Sequence, residues 1–238
     1  RTARASRARR FGAAGRLVKR RGAAANQLRV IAGRWRGRHL RFPDVPGLRP
    51  TPDRVRETLF DWLAPVLPGA RCLDLFAGSG ALGIEALSRG AAEAVFVERH
   101  PVAARALREN LARLNAGGAR VERSEALDWL RRSGSPFEIV LLDPPFGEGL
   151  LEPACALLER GGWLAPTAWI YLEAEAEGKR SPLPAAWTMH REKAAGAVAY
   201  RLARREIAGV DLRAGPDGDP SPRTVALPGG IPDNPFTP

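Results

Sequence analysis

The sequence has few of the residues that form disulfides and metal sites. Its two cysteines, Cys72 and Cys155, form no CxxC pair and stand among apolar residues. We interpret both as reduced thiols in the core of a cytoplasmic protein. The three histidines, His39, His100 and His190, are far apart in the sequence and show no ligand spacing. No metal is therefore expected.

Long apolar runs and an excess of acidic residues are also missing. No apolar run approaches the length of a membrane span. The 238 residues include 37 Lys and Arg against 26 Asp and Glu, which gives a formal net charge of +11. Such a balance favours a polyanionic partner, most simply nucleic acid, although a GC-rich genome would also raise the arginine content. The length suits one large α/β domain or two small ones.

The two ends of the chain differ in composition from the middle. Residues 1–27 are basic, rich in alanine and glycine and free of acids, and residues 209–238 are dense in glycine, proline and aspartate. We expect both to be disordered tails, the first adding salt-sensitive RNA affinity. An arginine-rich, acid-poor start without Met is also typical of an organellar transit peptide, which only Ser6 supports here, or of a displaced start site.

A short apolar run, 139–142, ends at Asp143-Pro144-Pro145-Phe146. The run is typical of a strand buried on both faces of a parallel sheet, and the two prolines end strand pairing. Asp143 and the Pro144 carbonyl are two acceptors on a stiff backbone, and could take both hydrogens of an amine on a planar base stacked on Phe146. The simpler interpretation is a strand end with a Pro-Pro turn and a core phenylalanine.

A glycine-rich loop follows the first core strand, which we predict over 71–76. The loop, Ala77-Gly78-Ser79-Gly80, opens a helix that Gly90 closes, and Glu98 ends the next strand, 94–97. Strand, loop, helix, strand and acid in this order indicate a nucleotide-like cofactor whose ribose Glu98 binds. Asp74 precedes the glycines, where it would repel a pyrophosphate but could face a cation. Asp74 could also be a structural acid that hydrogen-bonds the loop.

Basic residues are concentrated before this unit. Residues 28–42 alternate around a glycine-flanked centre and predict a β-hairpin, and a helix follows with Thr51 as its cap and Pro52 at its first position. Cations beside an aromatic suit phosphate contact and base stacking, although a solvated basic hairpin would have the same composition. The candidate RNA-binding residues are Arg34, Trp35, Arg36, Arg38, Arg49, Thr51, Arg54 and Arg56. We expect the helix entry to fold over the cofactor cleft.

The remaining pattern completes an α/β chain. Helices are predicted over 101–115 and 150–160, with a short helix after Ser124. Strands are predicted over 119–123 and 168–173, and the segments 187–193 and 198–204 predict a closing antiparallel pair.

With both loops placed, residues 28 to about 207 resemble the bacterial 16S ribosomal RNA guanine-N2 methyltransferase family called ribosomal RNA small subunit methyltransferase D. The matching stretches are 29–38, 47–60, 73–83, Asp143-Pro144-Pro145-Phe146 and His190-Arg191-Glu192-Lys193. The stretch 47–60 is the most specific, because general methyltransferases lack it. Where the family pattern places an aspartate or asparagine two residues after the acid of Glu98, this sequence has His100, which puts a helix cap in doubt.

The resemblance implies a Rossmann-like class I methyltransferase fold, with a seven-stranded, mostly parallel sheet that has one antiparallel strand, preceded by a β-hairpin and helix. It implies division into an RNA-binding segment, 28–64, and an S-adenosylmethionine-binding domain, 65–208. The implied product is N2-methylguanine in 16S rRNA, within the small subunit or its assembly intermediate, made by a cytoplasmic monomer. The implied cofactor contacts are Asp74, Phe76, Ala77, Gly78, Ser79, Gly80, Glu98, Arg99, Glu125, Ala126 and Asp143.

Residue chemistry alone reaches an amine on a planar base and does not separate guanine from adenine or cytosine. The alternatives are methylation of DNA adenine or of a protein glutamine amide, a non-catalytic RNA-binding assembly factor on a relic fold, and a dinucleotide oxidoreductase. The position of Asp74 and the lack of an evident hydride-transfer acid argue against the last of these.

Overall fold

The computed structural model describes residues 26–48, 50–177 and 183–207. The strands are β1 (Asn26–Arg29), β2 (His39–Phe42), β3 (Arg71–Asp74), β4 (Glu93–Val97), β5 (Ala119–Glu122), β6 (Phe137–Leu142), β7 (Leu164–Glu175), β8 (Trp187–Ala195) and β9 (Val198–Glu206). The helices are α1 (Asp53–Leu63), α2 (Ala81–Ser88), α3 (Pro101–Arg113), α4 (Ala126–Leu130) and α5 (Leu151–Arg160), and a 3₁₀ turn spans Gly33–Trp35. No helix in these ranges is long and apolar enough to cross a membrane.

A seven-stranded sheet in the order β5-β4-β3-β6-β7-β9-β8 forms the centre of the described chain. Strand β9 runs antiparallel to both of its neighbours, and the pairs among the other strands are parallel. The expected fold, a mostly parallel sheet with one antiparallel strand, is confirmed. The predicted closing pair is β8 and β9, and β7 begins at Leu164 rather than at residue 168.

The sheet is covered on both faces because its central strands are apolar on both faces. In β6, Ile139 and Leu141 belong to a core shared with α1, α2 and α3, whereas Val140 and Leu142 belong to a second core shared with α4 and α5. The continuous apolar run seen in the sequence therefore follows from this burial. Because both faces of the sheet are covered, the loops predicted to be functional lie at the ends of its strands.

The N-terminal hairpin packs into the first of these cores. Leu28, Leu40 and Trp35 are buried there, and Trp35 N–H donates to the Ser88 hydroxyl of α2 at 3.1 Å. Gly33 has a φ of 77°, and a Cβ placed on it would lie 1.9 Å from the Ser88 carbonyl oxygen. Only glycine allows this approach.

The hairpin begins earlier than predicted. Residues 26 and 27, which we assigned to the disordered tail, lie in β1.

Two predicted RNA contacts are wrong because the side chains are internal. Trp35 is 7% exposed and cannot serve as an open stacking surface. Arg56 is 1% exposed. It donates to the carbonyls of Thr51 and Arg29 at 3.2 and 2.9 Å, and pairs with Asp53 at 2.6 Å. A buried guanidinium needs such partners to offset lost hydration.

Arg56 also joins the hairpin and α1 to α2 through a buried carboxylate. Glu85 of α2 is fully buried and lies 3.5 Å from the Arg56 guanidinium. The same carboxylate accepts the backbone N–H groups of Ile31 and Ala32, each at 2.9 Å. One ion pair thus fixes the N-terminal segment to the sheet domain. The functional boundary predicted at residues 64–65 stays a prediction, because both sides share one core.

His100 caps its helix, although the family pattern has an aspartate or asparagine at this position. His100 is the N-cap of α3, and its Nδ1 accepts the Val102 N–H at 3.3 Å. The imidazole therefore replaces the carboxylate or amide oxygen expected at this position.

Replacing Arg56 with methionine should destabilise the fold by about 2 kcal/mol or more, because the carbonyls of Thr51 and Arg29 lose their donor and Glu85 keeps only one of its two arginines, Arg89 at 2.8 Å. Urea unfolding followed by circular dichroism measures this. Arg54→Met, on the exposed side of the same helix turn, is the matched control and should change stability by less than about 0.5 kcal/mol. Equal effects of the two substitutions would contradict the internal role of Arg56.

Candidate active site

A cavity of about 870 Å³ opens at the carboxyl ends of β3, β4, β6 and β7. This is the edge at which open α/β sheets bind ligands. Its wall also includes residues 45–48 and 50–52, so the expectation that the entry to α1 covers the cleft is confirmed. The lining includes the predicted residues Asp74, Phe76, Ala77, Gly78, Ser79, Glu98, Arg99, Glu125, Ala126, Asp143, Pro144, Pro145 and Phe146.

Gly80 is the predicted cofactor residue that does not line the cavity. Its φ is 79°, and a Cβ there would meet a Leu107 methyl carbon at 2.4 Å. Gly80 therefore serves the left-handed turn into α2 and the packing of α3. The loop glycine that lines the cavity is Gly78, whose φ is 51°.

Glu98 holds the glycine loop with one carboxylate oxygen and the start of α3 with the other. Oε2 accepts the Gly78 N–H at 2.8 Å and Oε1 accepts the His100 N–H at 2.6 Å. Each oxygen keeps a second lone pair that two ribose hydroxyls can use. The structural contacts and the predicted ribose contacts are thus compatible.

Asp74 makes the loop contact that we considered as its alternative role. Its Oδ2 accepts the Gly83 N–H at 3.0 Å, while the residue also lines the cavity. Burial raises the pKa of Asp74 to about 7, the Gly83 hydrogen bond opposes this, and the charges of Asp143 and Glu98 add to it. An acid destabilised in this way gains most from a bound cation.

Asp143 follows β6 and lies beside Thr51, Pro144 and Phe146. The Thr51 hydroxyl donates to Asp143 Oδ2 at 3.1 Å. Thr51 was predicted to cap α1, but it makes no cap hydrogen bond, and Pro52 occupies the N-cap position. Thr51 is buried in the wall of the cavity, so its predicted RNA contact would be with a base inside the cavity and stays a prediction. Burial raises the pKa of Asp143 to about 6, against the Thr51 hydrogen bond.

Phe146 leaves a flat face at the mouth of the cavity, where it is 45% exposed. Pro144 lies beside it and is buried. Because the proline ring fixes φ, its carbonyl stands on a rigid backbone. The core interpretation of Phe146 is therefore wrong, and the exposed ring is available for stacking.

Glu173 is a cavity residue that the sequence reasoning missed. It is 3% exposed and accepts the Tyr171 hydroxyl at 2.7 Å. The sequence did contain a signal for this residue, because Glu173 ends the apolar run of β7. That strand lies next to β6, which Asp143 follows. The neighbour relation of β6 and β7 was needed to bring it into the site.

An ion cluster spans one rim of the cavity. Arg99 lies 3.1 Å from Glu148 and 3.9 Å from Glu125. These contacts, led by the Glu148 hydrogen bond, raise the pKa of Arg99. The cluster joins the end of β4, the start of α4 and the loop after Phe146. Direct cofactor contacts of Arg99 and Glu125 stay predictions.

The remaining predicted RNA contacts lie on the surface. Arg34, Arg36, Arg38 and Arg54 are exposed, and the Arg34 guanidinium stacks 4.0 Å from the centroid of a Trp35 ring. Arg49 lies outside the described residues, as do residues 1–25 of the predicted N-terminal tail and all of the predicted C-terminal tail, 209–238. Within the described chain, no group of three or more His, Cys, Asp or Glu side chains is arranged to hold a metal ion.

Comparison with known proteins identifies the family. A family model described as Conserved hypothetical protein 95 matches residues 28–204. Ribosomal RNA small subunit methyltransferase D of Escherichia coli K12 is 57% identical over 185 residues, which cover 78% of this chain and 93% of that protein. The chain belongs to this methyltransferase D family. A family member from Haemophilus influenzae is 46% identical over 75% of this chain and 94% of its own length.

Solved structures agree with this placement. The family structure of yhhF from E. coli has a TM-score of 0.72 and 54% identity, over 76% of this chain and 99% of that one. The 16S rRNA N2 methyltransferase RsmC of Thermus thermophilus, solved with AdoMet and guanosine, has a TM-score of 0.58 and 25% identity over 76% of this chain and 50% of its own. The class I methyltransferase fold is confirmed, and the family is one of S-adenosylmethionine-dependent methyltransferases.

The cofactor of the family fits this cavity on the chemistry of its walls. One side of the cavity is lined by the glycine loop, by Glu98, which is suited to accept the ribose hydroxyls, and by the buried acid Asp74. Asp74 has the features needed to receive the positively charged methionine end. The assignment of each contact remains a proposal.

Binding of S-adenosylmethionine should tighten as the pH rises from about 6 to about 8, because Asp74, with a pKa of about 7, loses its proton and gains the charge that attracts the cation. Asp74→Asn should weaken binding by about tenfold or more and flatten this part of the profile. Isothermal titration calorimetry measures both effects. Glu109→Gln, an exposed acid on α3, should leave the profile unchanged, and a pH-independent affinity in the unmodified protein would contradict the role of Asp74.

Proposed function

We propose that this protein transfers the methyl group of S-adenosylmethionine to the N2 amine of a guanine in 16S ribosomal RNA. The observation that carries the proposal is the position of Asp143-Pro144 beside the glycine loop in one cavity. Membership in the methyltransferase D family supports the reaction and the RNA. The likeness to RsmC, a structure with AdoMet and guanosine, supports the pairing of cofactor and base.

On the cofactor side, Glu98 accepts the ribose hydroxyls with its two remaining lone pairs. Glu125 or the Ala126 N–H contacts the adenine edge, and Phe76, Ala77 and Ser79 complete the wall. Asp74 faces the cationic methionine end. S-adenosylmethionine supplies an electrophilic methyl group when bound.

On the base side, the chain orients the amine. The lone pair of a guanine amine is delocalised into the ring, which makes the nitrogen a poor nucleophile. Hydrogen bonds from the amine to Asp143 and to the Pro144 carbonyl favour a pyramidal nitrogen with its lone pair towards the methyl group. Phe146 stacks on the base, which must leave its helix to reach this depth. Orientation of this kind supplies up to about 7–11 kcal/mol in well-aligned cases.

Asp143 also receives the proton that the amine releases. Its pKa of about 6 lies below neutral pH, so it is mostly ionised and ready to accept. Thr51 donates to the same carboxylate and holds its orientation.

The RNA reaches the site along the exposed arginines of the hairpin and α1, namely Arg34, Arg36, Arg38 and Arg54. We place Arg49 in the same group on sequence grounds. The substrate is the small subunit or an assembly intermediate, and the enzyme acts as a cytoplasmic monomer.

Asp143→Ala should lower the turnover number by on the order of 10²–10⁴-fold while S-adenosylmethionine binding persists, because all the other expected cofactor contacts lie on other loops. Asp143→Asn keeps an acceptor for the amine and should retain more activity than the alanine variant. Transfer of labelled methyl groups to small subunits that lack the modification measures turnover, and rRNA, DNA and protein fractions are counted separately. Unaltered turnover of the alanine variant, or label in DNA or protein alone, would falsify the proposal.

Replacing Arg36 and Arg38 together with alanine should weaken RNA binding and reduce the slope of log affinity against log salt by about 1 to 2, because each phosphate contact contributes about 0.7–0.9. Fluorescence anisotropy with a labelled 16S fragment over a salt series measures the slope. Arg105 and Arg113, exposed on α3, form the matched pair, whose replacement should leave the slope unchanged. An equal reduction in both variants would show that only overall charge matters.

A further inference from the structure

Glu173 and Asp143 occupy equivalent positions at the ends of neighbouring parallel strands. Leu141 of β6 pairs with Tyr171 of β7, and Leu142 pairs with Leu172. The next residue along each strand is therefore Asp143 and Glu173. Register partners point to the same face of a sheet, and Leu141 and Tyr171 both belong to the core under the hairpin and α1. The two carboxyl groups consequently meet in the cavity.

Two hydroxyl groups hold this pair in place. Tyr171 donates to Glu173 Oε1 at 2.7 Å. Thr51 donates to Asp143 at 3.1 Å, and the same hydroxyl also lowers the pKa of Glu173. The Thr51 hydroxyl therefore lies close to both carboxyl groups. Among the described residues, no arginine or lysine forms an ion pair with Glu173.

A buried carboxyl group with this geometry has a specific use when an amine is bound to Asp143. Guanine carries a second donor, N1–H, directly beside its N2 amine. Adenine and cytosine instead carry an acceptor nitrogen beside their amines. An acceptor next to Asp143 therefore separates guanine from both other bases, which the Asp-Pro-Pro motif alone does not do.

We propose that Glu173 is the residue that selects guanine, by accepting the N1–H of the base whose N2 amine is held by Asp143. The proposal rests on the methyl-transfer function proposed above and adds its base specificity. Glu173 acts on binding and orientation, and the transferred methyl and the released proton follow the path already described. A base that lacks N1–H would leave the carboxylate buried without that donor, which a site of this kind disfavours.

The raised pKa of Glu173 is that of a carboxyl group whose charge would be stabilised by a further hydrogen-bond donor. Burial raises its pKa to about 8 and the charge of Asp143 adds to this, against hydrogen bonds from Tyr171 and Thr51. On the adjoining strand β9, the titratable group that pairs with Glu173 in register is Tyr200. A bound N1–H donor stabilises the ionised form.

The test uses 2-aminopurine, which keeps the N2 amine of guanine and has an acceptor at N1. Small subunits are reconstituted with 16S rRNA that carries guanine or 2-aminopurine at the target position, and methyl transfer is compared at about pH 8.5, where Glu173 is ionised. The unmodified enzyme should prefer guanine by at least about tenfold in kcat/KM. Glu173→Gln presents both a donor and an acceptor, and its preference should fall to within about threefold.

Glu175→Gln is the matched control, because Glu175 lies two residues further along β7 and is exposed. It should keep the preference of the unmodified enzyme. A preference that survives in Glu173→Gln, or equal transfer to both bases by the unmodified enzyme, would overturn the assignment of Glu173. Absence of transfer to guanine by the unmodified enzyme would instead refute the methyltransferase function itself.

A second measurement needs no variant and covers the case in which Glu173→Gln does not fold. The ratio of guanine to 2-aminopurine transfer by the unmodified enzyme is followed from about pH 8.5 to about pH 6.5. Protonated Glu173 becomes a donor that suits the N1 acceptor of 2-aminopurine, so the ratio should fall severalfold. Changes at Asp143 and Asp74 affect both substrates and cancel in the ratio. A ratio that stays constant would contradict the proposal.

Discussion

The alignment of four parallel strand ends is the constraint on which the site depends. It places Asp74, Glu98, Asp143 and Glu173 around one cavity, although they are spread over a hundred residues of sequence. These acids share a poorly hydrated space, and burial is the main cause of the raised pKa values of Asp74, Asp143 and Glu173. Repulsion between like charges adds to the effect at Asp74 and at Glu173. Ionising such groups lowers folded-state stability as the pH rises towards their pKa values. A cationic cofactor and a base with adjacent N–H donors are the ligands that offset that cost.

Within the described residues, the arginines that we assigned to RNA divide into two groups with different physical roles. Arg36 and Arg38 are exposed and suit contact with phosphate, whereas Arg56 is buried against Glu85 and fixes α1 to α2. The ion pair holds the entry to α1 in position over the cavity, where Thr51 reaches Asp143. Arg56, which the sequence analysis predicted to contact RNA, thus affects the active site by holding the start of α1 in position.

Local patterns were sufficient for the fold and for the two principal loops. The run 139–142 with its Pro-Pro end predicted a central strand and the position of Asp143, and the glycine loop with Glu98 predicted the cofactor side. Both depend on backbone geometry that glycine and proline fix locally. The errors lie where a side chain was assigned by type alone. Trp35 and Arg56 were expected to meet RNA, and each is buried by contacts with residues distant in sequence.

The sequence by itself determined the element order, the class of fold and the loops that carry chemistry, because these follow from periodicity and from residues with restricted backbones. The family followed from the resemblance of whole stretches such as 47–60. Only the tertiary structure decided which basic side chains face solvent and which acids share the cavity. The register of β6 against β7 sets Glu173 beside Asp143, and the approach of α1 brings Thr51 between them. Neither relation is local, since strand pairing and helix docking are fixed by burial of the whole core.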